Sequence, residues 1–416
     1  MTQFMIRNRV TSRLTLSDLG YGLVWLAFAS GFLVIIEPAP FDLLILAIGF
    51  LALLMGLRLP GSLMPMLVVC MVIILCGMGA LTQSRYLDGS ARHLVITIYL
   101  MATTIIVAAF VHHNPRLSLR AILGGHLVAA LISASLGIIG YFDLVPGTYE
   151  LFTEFSRAKG AFKDPNVFGP FLIVGAIYAL YQTLTRPLLQ GLPWLAGLAI
   201  ISLGVLLSFS RGAWGHFIAS LALCVTLILM TSRDRALNLR IIVMCIIAMA
   251  VLGVAVLALL NIPAVAEMVS MRAGLTQSYD TGGTGRFDGQ ALAIRWVLDA
   301  PLGYGQEDFG RFWGEEPHNV YIYMFLQTGW LGGCLYAAMV IGTIVAIVRI
   351  VFSATPWRSY AIVLAATFIP LALEGLIVDT DHWRHFWMLL GMIWGLAAWQ
   401  HDWNASFRRQ LIVQRT

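Results

Sequence analysis

The chain has 416 residues, of which 59% are hydrophobic and 11% are charged, and its formal net charge is +5. A soluble domain carries roughly twice that charged fraction, so the composition excludes an ordinary soluble protein. Repeated apolar runs of about 18 or more residues predict a polytopic helical membrane protein, because lipid offers the backbone no hydrogen-bond partners. The short alternating segments of an outer-membrane barrel are absent from the sequence.

The apolar runs predict about twelve membrane spans in a single all-α membrane domain covering residues 1–416. The first run follows three arginines and lacks a small-residue cleavage site, which favours a retained span over a signal peptide. The tenth is long for one crossing, so it either bends at Gly329, Gly332 and Gly333 or tilts in the membrane. The predicted spans are 19–36, 41–57, 63–81, 93–111, 121–141, 167–184, 192–209, 212–230, 240–262, 319–348, 359–378 and 383–400.

The cysteines give no indication of disulfides or of a metal site. All five fall inside apolar runs, where a thiol behaves as a small hydrophobic group. No Cys/His pair has the spacing of metal ligands along the chain. The sequence therefore predicts no metal site and no cofactor.

The distribution of basic residues predicts the orientation. With the N-terminus in the cytoplasm, the cytoplasmic segments hold 15 of the 26 Lys and Arg residues but only three of the 21 acidic residues. The positive-inside rule then favours an even number of spans with both termini in the cytoplasm. Two long loops, at 142–166 and 263–318, lie outside in this arrangement, and four polar clusters share that face.

The first cluster, R-A-K-G-A-F-K-D-P-N, contains both lysines of the chain. Its D-P-N segment combines a turn with a helix start, and Asn166 is the predicted cap of the span that begins at Val167. A loop that ends in a cap is sufficient to explain these residues. Alternatively, Lys163 supplies a cation for an anionic substrate.

The second cluster, S-F-S-R-G, places Arg211 between two apolar runs with almost no loop. An arginine in so tight a turn has two interpretations. Its side chain extends to lipid phosphate groups, or its planar guanidinium binds a diphosphate through two parallel hydrogen bonds.

The third cluster, D-T-G-G-T-G-R, runs from Asp280 to Arg286 and precedes a predicted amphipathic helix at 286–299. The apolar stripe of this helix consists of Phe287, Ala291, Ile294 and Leu298. Such a stripe predicts a helix in the membrane interface. The glycines of the cluster are Gly282, Gly283 and Gly285. They would let the backbone approach an anion at the helix N-terminus, and a plain flexible linker is the alternative.

The fourth cluster, E-E-P-H-N, opens the tenth span. His318 is either a helix-start residue at the interface or a general base, since its ordinary pKa lies near pH 7. Glu315 and Glu316 are alternative candidates for the base. Glu374 is a carboxylate near the outer end of a span, with either a functional role or a structural pairing to an arginine. His216 is predicted to be a packing residue.

The motifs A-F-K-D-P-N-x-x-G, S-x-S-R-G, T-G-R followed by P-L-G-Y-G, and H-N-x9-G-x-x-G occur in this order. Together they resemble the O-antigen ligase and polysaccharide polymerase superfamily of integral-membrane glycosyltransferases. The motifs cover residues 155–340, and the twelve-span layout with a large late periplasmic loop extends the resemblance to most of the chain. It implies the membrane glycosyltransferase C-type fold, in the bacterial inner membrane, with a periplasmic active site.

The resemblance also implies an activity. Members of the superfamily are inverting, metal-independent enzymes that take a glycan from an undecaprenyl-diphosphate donor within membrane lipid. Ligases pass it to lipid A-core in lipopolysaccharide biosynthesis, and polymerases pass it to a lipid-linked glycan acceptor, as in exopolysaccharide synthesis. No nucleic acid is involved. The implied catalytic residues are Arg211, Arg286 and His318, and the predicted substrate-binding residues are Lys163, Asp164, Asn166, Ser210, Gly285, Glu316 and Asn319.

Two other classes compete with this interpretation. A twelve-span secondary transporter, or an exporter of lipid-linked glycans, also fits the number of spans and the basic inner face. Transporters usually carry functional charges near the midplane and have repeated halves, whereas here midplane charges are scarce and the halves look unlike. The peptidoglycan-polymerising membrane glycosyltransferases use a similar donor, but the motifs fit them less well.

Overall fold

The structure, a computed structural model, describes residues 16–272 and 285–413. These residues are almost entirely helical, as predicted, with one short antiparallel pair of strands. The helices are α1 (Leu16–Ala29), α2 (Pro40–Leu54), α3 (Met64–Leu81), α4 (Leu87–His113), α5 (Pro115–Tyr141), α6 (Thr148–Phe152), α7 (Pro165–Thr185), α8 (Leu188–Leu207), α9 (Arg211–Thr231), α10 (Arg235–Leu259), α11 (Pro263–Arg272), α12 (Arg286–Asp299), α13 (Glu307–Trp313), α14 (Val320–Phe352), α15 (Arg358–Glu374) and α16 (Arg384–Val413). The strands are β1 (Thr153–Glu154) and β2 (Arg157–Ala158).

Each of the twelve predicted spans overlaps a helix of at least 14 residues. Within the described residues, eight helices are long and apolar enough to cross a membrane, and these are α3, α4, α5, α7, α8, α9, α10 and α14. The helices α1 and α2 are apolar but shorter. The protein is therefore a multi-pass membrane protein. The total of twelve, the orientation and the periplasmic location of the two long loops stay predictions.

The membrane-length helices differ in how deeply they are enclosed. Of the apolar window of α7, 83% is buried inside the protein, compared with 6% for α10. Helix α7 packs against α5, α8, α9 and α15. Helix α7 is therefore an interior helix. The polar turn at its start lies against other helices and does not begin a lipid-facing helix.

Helices α4 and α16 cross at very short range through two glycines one helical turn apart. A Cβ on Gly391 would lie 2.6 Å from the carbonyl oxygen of Thr104, and one on Gly395 would lie 2.6 Å from that of Ala108. This small-xxx-small spacing lets two membrane helices approach closely enough for extensive van der Waals contact. It holds the last helix against the first half of the chain.

A buried ion pair links α16 to α2. The guanidinium of Arg384 donates to both carboxylate oxygens of Asp42, at 2.6 and 2.7 Å, and the hydroxyl of Tyr99 donates to the same carboxylate at 2.6 Å. With the further bond from the backbone N–H of Ala39, the carboxylate has four donors. Such a saturated bidentate pair has a structural role.

Helix α14 is broken at Gly329, as the glycines of this span predicted. Gly329 has φ 68° and ψ −172°, a backbone conformation that disfavours any side chain. The break admits the P-L-G-Y-G segment: the N–H of Trp330 donates to the carbonyl oxygen of Pro301 at 2.9 Å. A Cβ on Gly329 would collide with that carbonyl oxygen. The bend is confined to Gly329, so Gly332 and Gly333 stay helical.

Helix α12 confirms the predicted amphipathic helix, and its two faces differ as expected. Gly289 and Ala293 are buried on the side that packs against α14. The apolar stripe faces outward, with Phe287, Ile294 and Leu298 exposed. An outward apolar stripe suits a helix at the membrane surface. The depth of α12 in a membrane stays a prediction.

Candidate functional site

The second polar cluster forms the N-terminus of α9. Phe209 adopts a left-handed backbone (φ 47°), which turns the chain between α8 and α9 within three residues. The hydroxyl of Ser210 then accepts a hydrogen bond from the N–H of Ala213 at 3.4 Å, so Ser210 is the N-cap and Arg211 is the first residue of α9. The predicted substrate-binding residue Ser210 is thus buried and already has a capping role.

The first cluster starts α7, but its cap differs from the prediction. Asp164, not Asn166, is the N-cap, and its carboxylate accepts from the N–H of Asn166 at 2.7 Å. The prediction placed the helix start two residues late, because Pro165 occupies the first helical position, where its missing N–H costs nothing. The side-chain oxygen of Asn166 instead accepts a 2.7 Å bond from Arg157.

Arg157 joins the first two clusters. Its Nε donates to the carbonyl oxygen of Ser208 at 2.8 Å, while its terminal nitrogen holds Asn166. A Cβ on Gly169, one turn into α7, would lie 3.0 Å from the hydroxyl oxygen of Ser208. The starts of α7 and α9 are therefore in direct contact.

Both lysines of the first cluster have acidic neighbours. Lys163 lies 2.8 Å from the carboxylate of Glu37, and each side chain is more than half exposed. Lys159 lies 3.5 Å from Glu154. Exposed ion pairs contribute little free energy, so the Glu37 pair holds Lys163 only weakly.

The third cluster ends at the N-terminus of α12. Asp280, Gly282 and Gly283 lie outside the described residues, whereas Gly285 is the N-cap and Arg286 is the first helical residue. One turn later, the side-chain amide of Gln290 donates to the carbonyl oxygen of His318 at 3.3 Å. This bond links the start of α12 to the fourth cluster.

The fourth cluster forms the N-terminus of α14 and is held by Asp379. The carboxylate of Asp379 accepts from the N–H of His318 at 3.1 Å and from the N–H of Asn319 at 2.9 Å. These bonds stabilise the left-handed backbone of His318 (φ 50°). The predicted substrate-binding residue Asn319 is the N-cap of α14, and its side-chain oxygen accepts from the N–H groups of Tyr321 and Ile322.

The ring of His318 lies between two carboxylates. Its Nδ1 is 3.7 Å from Asp379 and its Nε2 is 3.4 Å from Glu315, and 35% of the side chain is exposed. Burial and the positive charge of Arg286 lower the pKa of His318 below 6.5, against the opposing effect of Glu315. The imidazole is consequently neutral at pH 7, the state that a general base requires.

The two acids behind His318 favour their protonated forms. Burial and the neighbouring charge of Asp379 raise the pKa of Glu316 to about 8. Burial and Asp381 likewise raise the pKa of Asp379 to about 8, although its backbone donors and Arg286 oppose the rise. Glu316 is therefore less able than His318 to accept a proton at pH 7, because in most molecules its side chain is already protonated.

Among the described residues, Glu374 pairs with His216 and not with an arginine. The Nδ1 of His216 lies 2.8 Å from the Glu374 carboxylate, and its Nε2 lies 3.2 Å from the carbonyl oxygen of Thr367. The second carboxylate oxygen of Glu374 would lie 2.8 Å from a Cβ on Gly212. His216, predicted to be a packing residue, thus links α9 to α15 directly behind Arg211.

The residue after Glu374 continues this link to α14. The carbonyl oxygen of Gly375 accepts from the N–H of Val320 at 2.8 Å. The N-termini of α7, α9, α14 and α12 are accordingly connected by an unbroken series of contacts. Helix N-termini present positive partial charge and unpaired N–H groups, so four of them at one end of the bundle favour an anionic ligand.

Comparison with protein families provides the deciding observation. The family model described as O-antigen ligase matches residues 196–337, the segment that contains Arg211, Arg286 and His318. The match covers about a third of the chain, and over this segment the protein is similar to the O-antigen ligase family. The match covers three of the four linked helix starts, and the α7 start lies before it. A search of curated proteins finds no match.

Two residues that organise the site were not among the predicted site residues. In the sequence, Arg157 belongs to a polar segment that resembles an exposed loop. Its role becomes visible in its bonds to Asn166 of α7 and to Ser208 in the turn before α9. Asp379 had a signal: the segment D-T-D-H at 379–382 places two acids and a histidine between two apolar runs. Such a concentration of ionisable groups in an apolar chain is expected to have a function.

Proposed function

We propose that this protein is a periplasm-facing, inverting glycosyltransferase that transfers or polymerises glycan from an undecaprenyl-diphosphate donor. The acceptor is lipid A-core or a second lipid-linked glycan. The observation that carries the proposal is the contact between the helix starts at Arg211, Arg286 and His318. Gln290 of α12 donates to the His318 carbonyl oxygen at 3.3 Å, and Glu374 and Gly375 connect α9 to α14. The family match to this segment supports the same activity.

In the proposed reaction, Arg211 and Arg286 bind the donor diphosphate. The bond between the anomeric carbon and the diphosphate oxygen breaks, and its electron pair stays on that oxygen. Two guanidinium groups stabilise the developing negative charge without a metal ion. The N-termini of α9 and α12 add partial positive charge at the same place.

The acceptor hydroxyl attacks the anomeric carbon from the opposite side, which inverts its configuration. His318 takes the hydroxyl proton as the new C–O bond forms. Its neutral ring and partial exposure suit this role. Asp379 is a positioning residue, because its carboxylate fixes the His318 backbone through two N–H bonds.

Six of the predicted substrate-binding residues divide into three groups under this proposal. Lys163 is exposed and able to contact phosphate or sugar groups. Asp164, Ser210, Gly285 and Asn319 act as helix caps, so they shape the site through the backbone. Glu316 is a protonated donor at neutral pH.

The arginines provide the test. Arg211→Ala and Arg286→Ala should each insert normally yet lose transfer activity by about a hundredfold, the usual cost of removing one preorganised donor. Lysine replacements should also be poor, because a point charge does not reproduce a planar fork. Arg295→Ala, an exposed arginine on the same helix as Arg286, is the control and should retain activity. Full activity of Arg286→Ala at normal expression would refute the diphosphate site.

A gene deletion distinguishes the acceptors. A ligase deletion should remove the entire O-chain from lipid A-core while lipid-linked polymer accumulates. A polymerase deletion should leave single-repeat capping or abolish exopolysaccharide. Unchanged lipopolysaccharide and unchanged secreted polysaccharide would contradict both forms of the proposal.

A further inference from the structure

A second polar cluster lies beside the proposed site, on the other side of Asp379. His93 of α4 lies close to Asp381 and His382 of the loop between α15 and α16. The potential ligand atoms of these three side chains all lie within 4.8 Å of one another. His93 and Asp381 are 288 residues apart along the chain, so no sequence spacing indicates the cluster.

The distances within the cluster are close to those of a metal site. The Nε2 of His93 is 2.9 Å from an Asp381 carboxylate oxygen, and the Nε2 of His382 is 4.0 Å from the same oxygen. A tetrahedral zinc ion with bonds of about 2.0–2.2 Å holds its ligand atoms about 3.3 Å apart. The rings of His93 and His382 are stacked, with centroids 3.6 Å apart, so one imidazole must rotate as well as shift for both nitrogens and the oxygen to bind one ion.

Neighbouring groups already hold two of the three side chains. The amide of Gln327 donates to the Asp381 carboxylate at 3.2 Å, and the hydroxyl of Thr97 lies 3.2 Å from Nε2 of His382. Both bonds end on atoms that would bind the ion, so an ion would replace polar partners that these atoms already have. Asp381 and His93 are also buried, so much of the cluster is shielded from water.

A narrow cavity adjoins His93. Its polar lining comes from Ser90, Thr97, Gln306 and Gln327, and it has room for a ligand of about the size of a water molecule. Three protein ligands next to space for one water are the usual composition of an open, four-coordinate site. The cavity thus supplies a fourth coordination position.

We propose that His93, Asp381 and His382 bind one divalent transition-metal ion of the zinc class. Two imidazoles and one carboxylate select such ions over Mg²⁺ and Ca²⁺, which prefer six or more oxygen ligands. The ion replaces the His93–Asp381 hydrogen bond and fastens the loop at 375–383 to α4. This role is structural and independent of the proposed glycan transfer, because none of the three ligands belongs to the proposed diphosphate site.

Metal binding is measured on purified full-length protein in detergent after removal of any affinity tag. The protein is incubated with Zn²⁺, freed of excess ion, and assayed by mass spectrometry of the metal content. Wild type should retain about one ion per chain, and Asp381→Asn and His382→Ala should retain almost none. His113→Ala, an exposed histidine at the far end of α4, is the matched control and should bind like wild type.

Two further measurements separate metal binding from a purely hydrogen-bonded cluster. Co²⁺ in place of Zn²⁺ should give visible absorption bands in wild type that Asp381→Asn lacks. Added Zn²⁺ should raise the thermal unfolding temperature of wild type and His113→Ala but not of Asp381→Asn, which preserves the side-chain shape. Equal Zn²⁺ retention by wild type and Asp381→Asn, or no Zn²⁺-dependent change in wild-type Tm, would overturn the proposal.

Discussion

Two histidine–carboxylate pairs lie next to the helix starts of the candidate site, and they differ in exposure to solvent. The His216–Glu374 pair is sealed, with side chains 0% and 2% exposed, and both nitrogens of His216 have partners. The His318–Asp379 pair is open, because the His318 ring is 35% exposed and its nearest carboxylates are 3.4 and 3.7 Å away. A sealed pair holds helices together, whereas an open pair is able to exchange protons with a substrate.

The comparison shows that residue type alone does not identify a catalytic group in a membrane protein. Both histidines lie within a few residues of a helix N-terminus, and both have carboxylate neighbours. Access to the ring and the completeness of its hydrogen bonding distinguish them.

The largest effect is expected for His318→Ala. Removing a general base lowers the rate of transfer by about 10²–10⁴-fold, while the folded protein is retained. The measurement is glycan transfer from a lipid-linked donor in nanodiscs, with expression and Tm as controls. Transfer at the wild-type rate would show that the open pair has no role in proton transfer.

For the sealed pair, substitution should lower the stability of the protein and leave its activity unchanged. Glu374→Ala leaves His216 without its buried partner and should destabilise the fold by about 3–5 kcal/mol. Thermal unfolding in detergent should show a marked fall in Tm, and the remaining folded protein should keep its specific activity. Glu315→Ala removes the exposed acid beside His318 and should leave Tm unchanged, since its side chain is 74% exposed. An unchanged Tm for Glu374→Ala would remove the distinction between the pairs.

The fold around the open pair also depends on the helix break at Gly329. Gly329→Ala forces a side chain into a left-handed backbone against the Pro301 carbonyl, at a cost of about 1–3 kcal/mol. Gly342→Ala in the same helix is the control, because its Cβ would meet only Trp394 at 4.0 Å. Thermal unfolding should separate the two variants clearly. Similar Tm values would mean that the P-L-G-Y-G segment does not depend on the break.

The smallest effect concerns pH. Because the pKa of Glu316 rises from 4.5 to about 8 on folding, the folded state binds its proton more tightly than the unfolded state does. The stability associated with Glu316 is therefore present at low pH and is lost as the pH rises from about 4.5 to 8. The Tm of Glu316→Gln should fall less between pH 5 and pH 8 than that of wild type.

Glu315→Gln is the matched control for this pH series. It is adjacent to Glu316 but exposed, so its Tm should depend on pH as in wild type. A Glu316→Gln variant with the wild-type slope would assign the pH dependence to other groups. Activity gives an independent check. Because the pKa of His318 is lowered below 6.5, the rate of glycan transfer should decline only below pH 6.5.

The helices were predictable because long apolar runs dictate them, and each predicted span overlaps one. The cap of α7 was misplaced because both Asp164 and Asn166 are good N-cap residues. Pro165 occupies the first helical position, so Asp164 is the cap and Asn166 bonds to Arg157. The motifs correctly placed the four polar turns at or next to helix starts, and the functional roles of these turns stay predictions. The local sequence identifies a turn, but it does not identify the distant residue that forms hydrogen bonds with the side chains of that turn.

The partners of the site residues were not predictable for the same reason. His216 pairs with Glu374 across 158 residues, and His318 with Asp379 across 61. Each pairing depends on which helices pack together. The sequence offered only the observation that ionisable groups are concentrated at 379–382, without indicating which of them faces His318.

The bonds of Arg157 have a consequence for engineering. Because one guanidinium holds both Asn166 and the Ser208 carbonyl, the two turns form a single mechanical unit despite lying 42 residues apart in sequence. A chimaera that imports the 157–166 turn from another family member should therefore import the 208–211 turn with it. Exchange of one turn alone would leave a misfitted junction even if every helix were correctly formed.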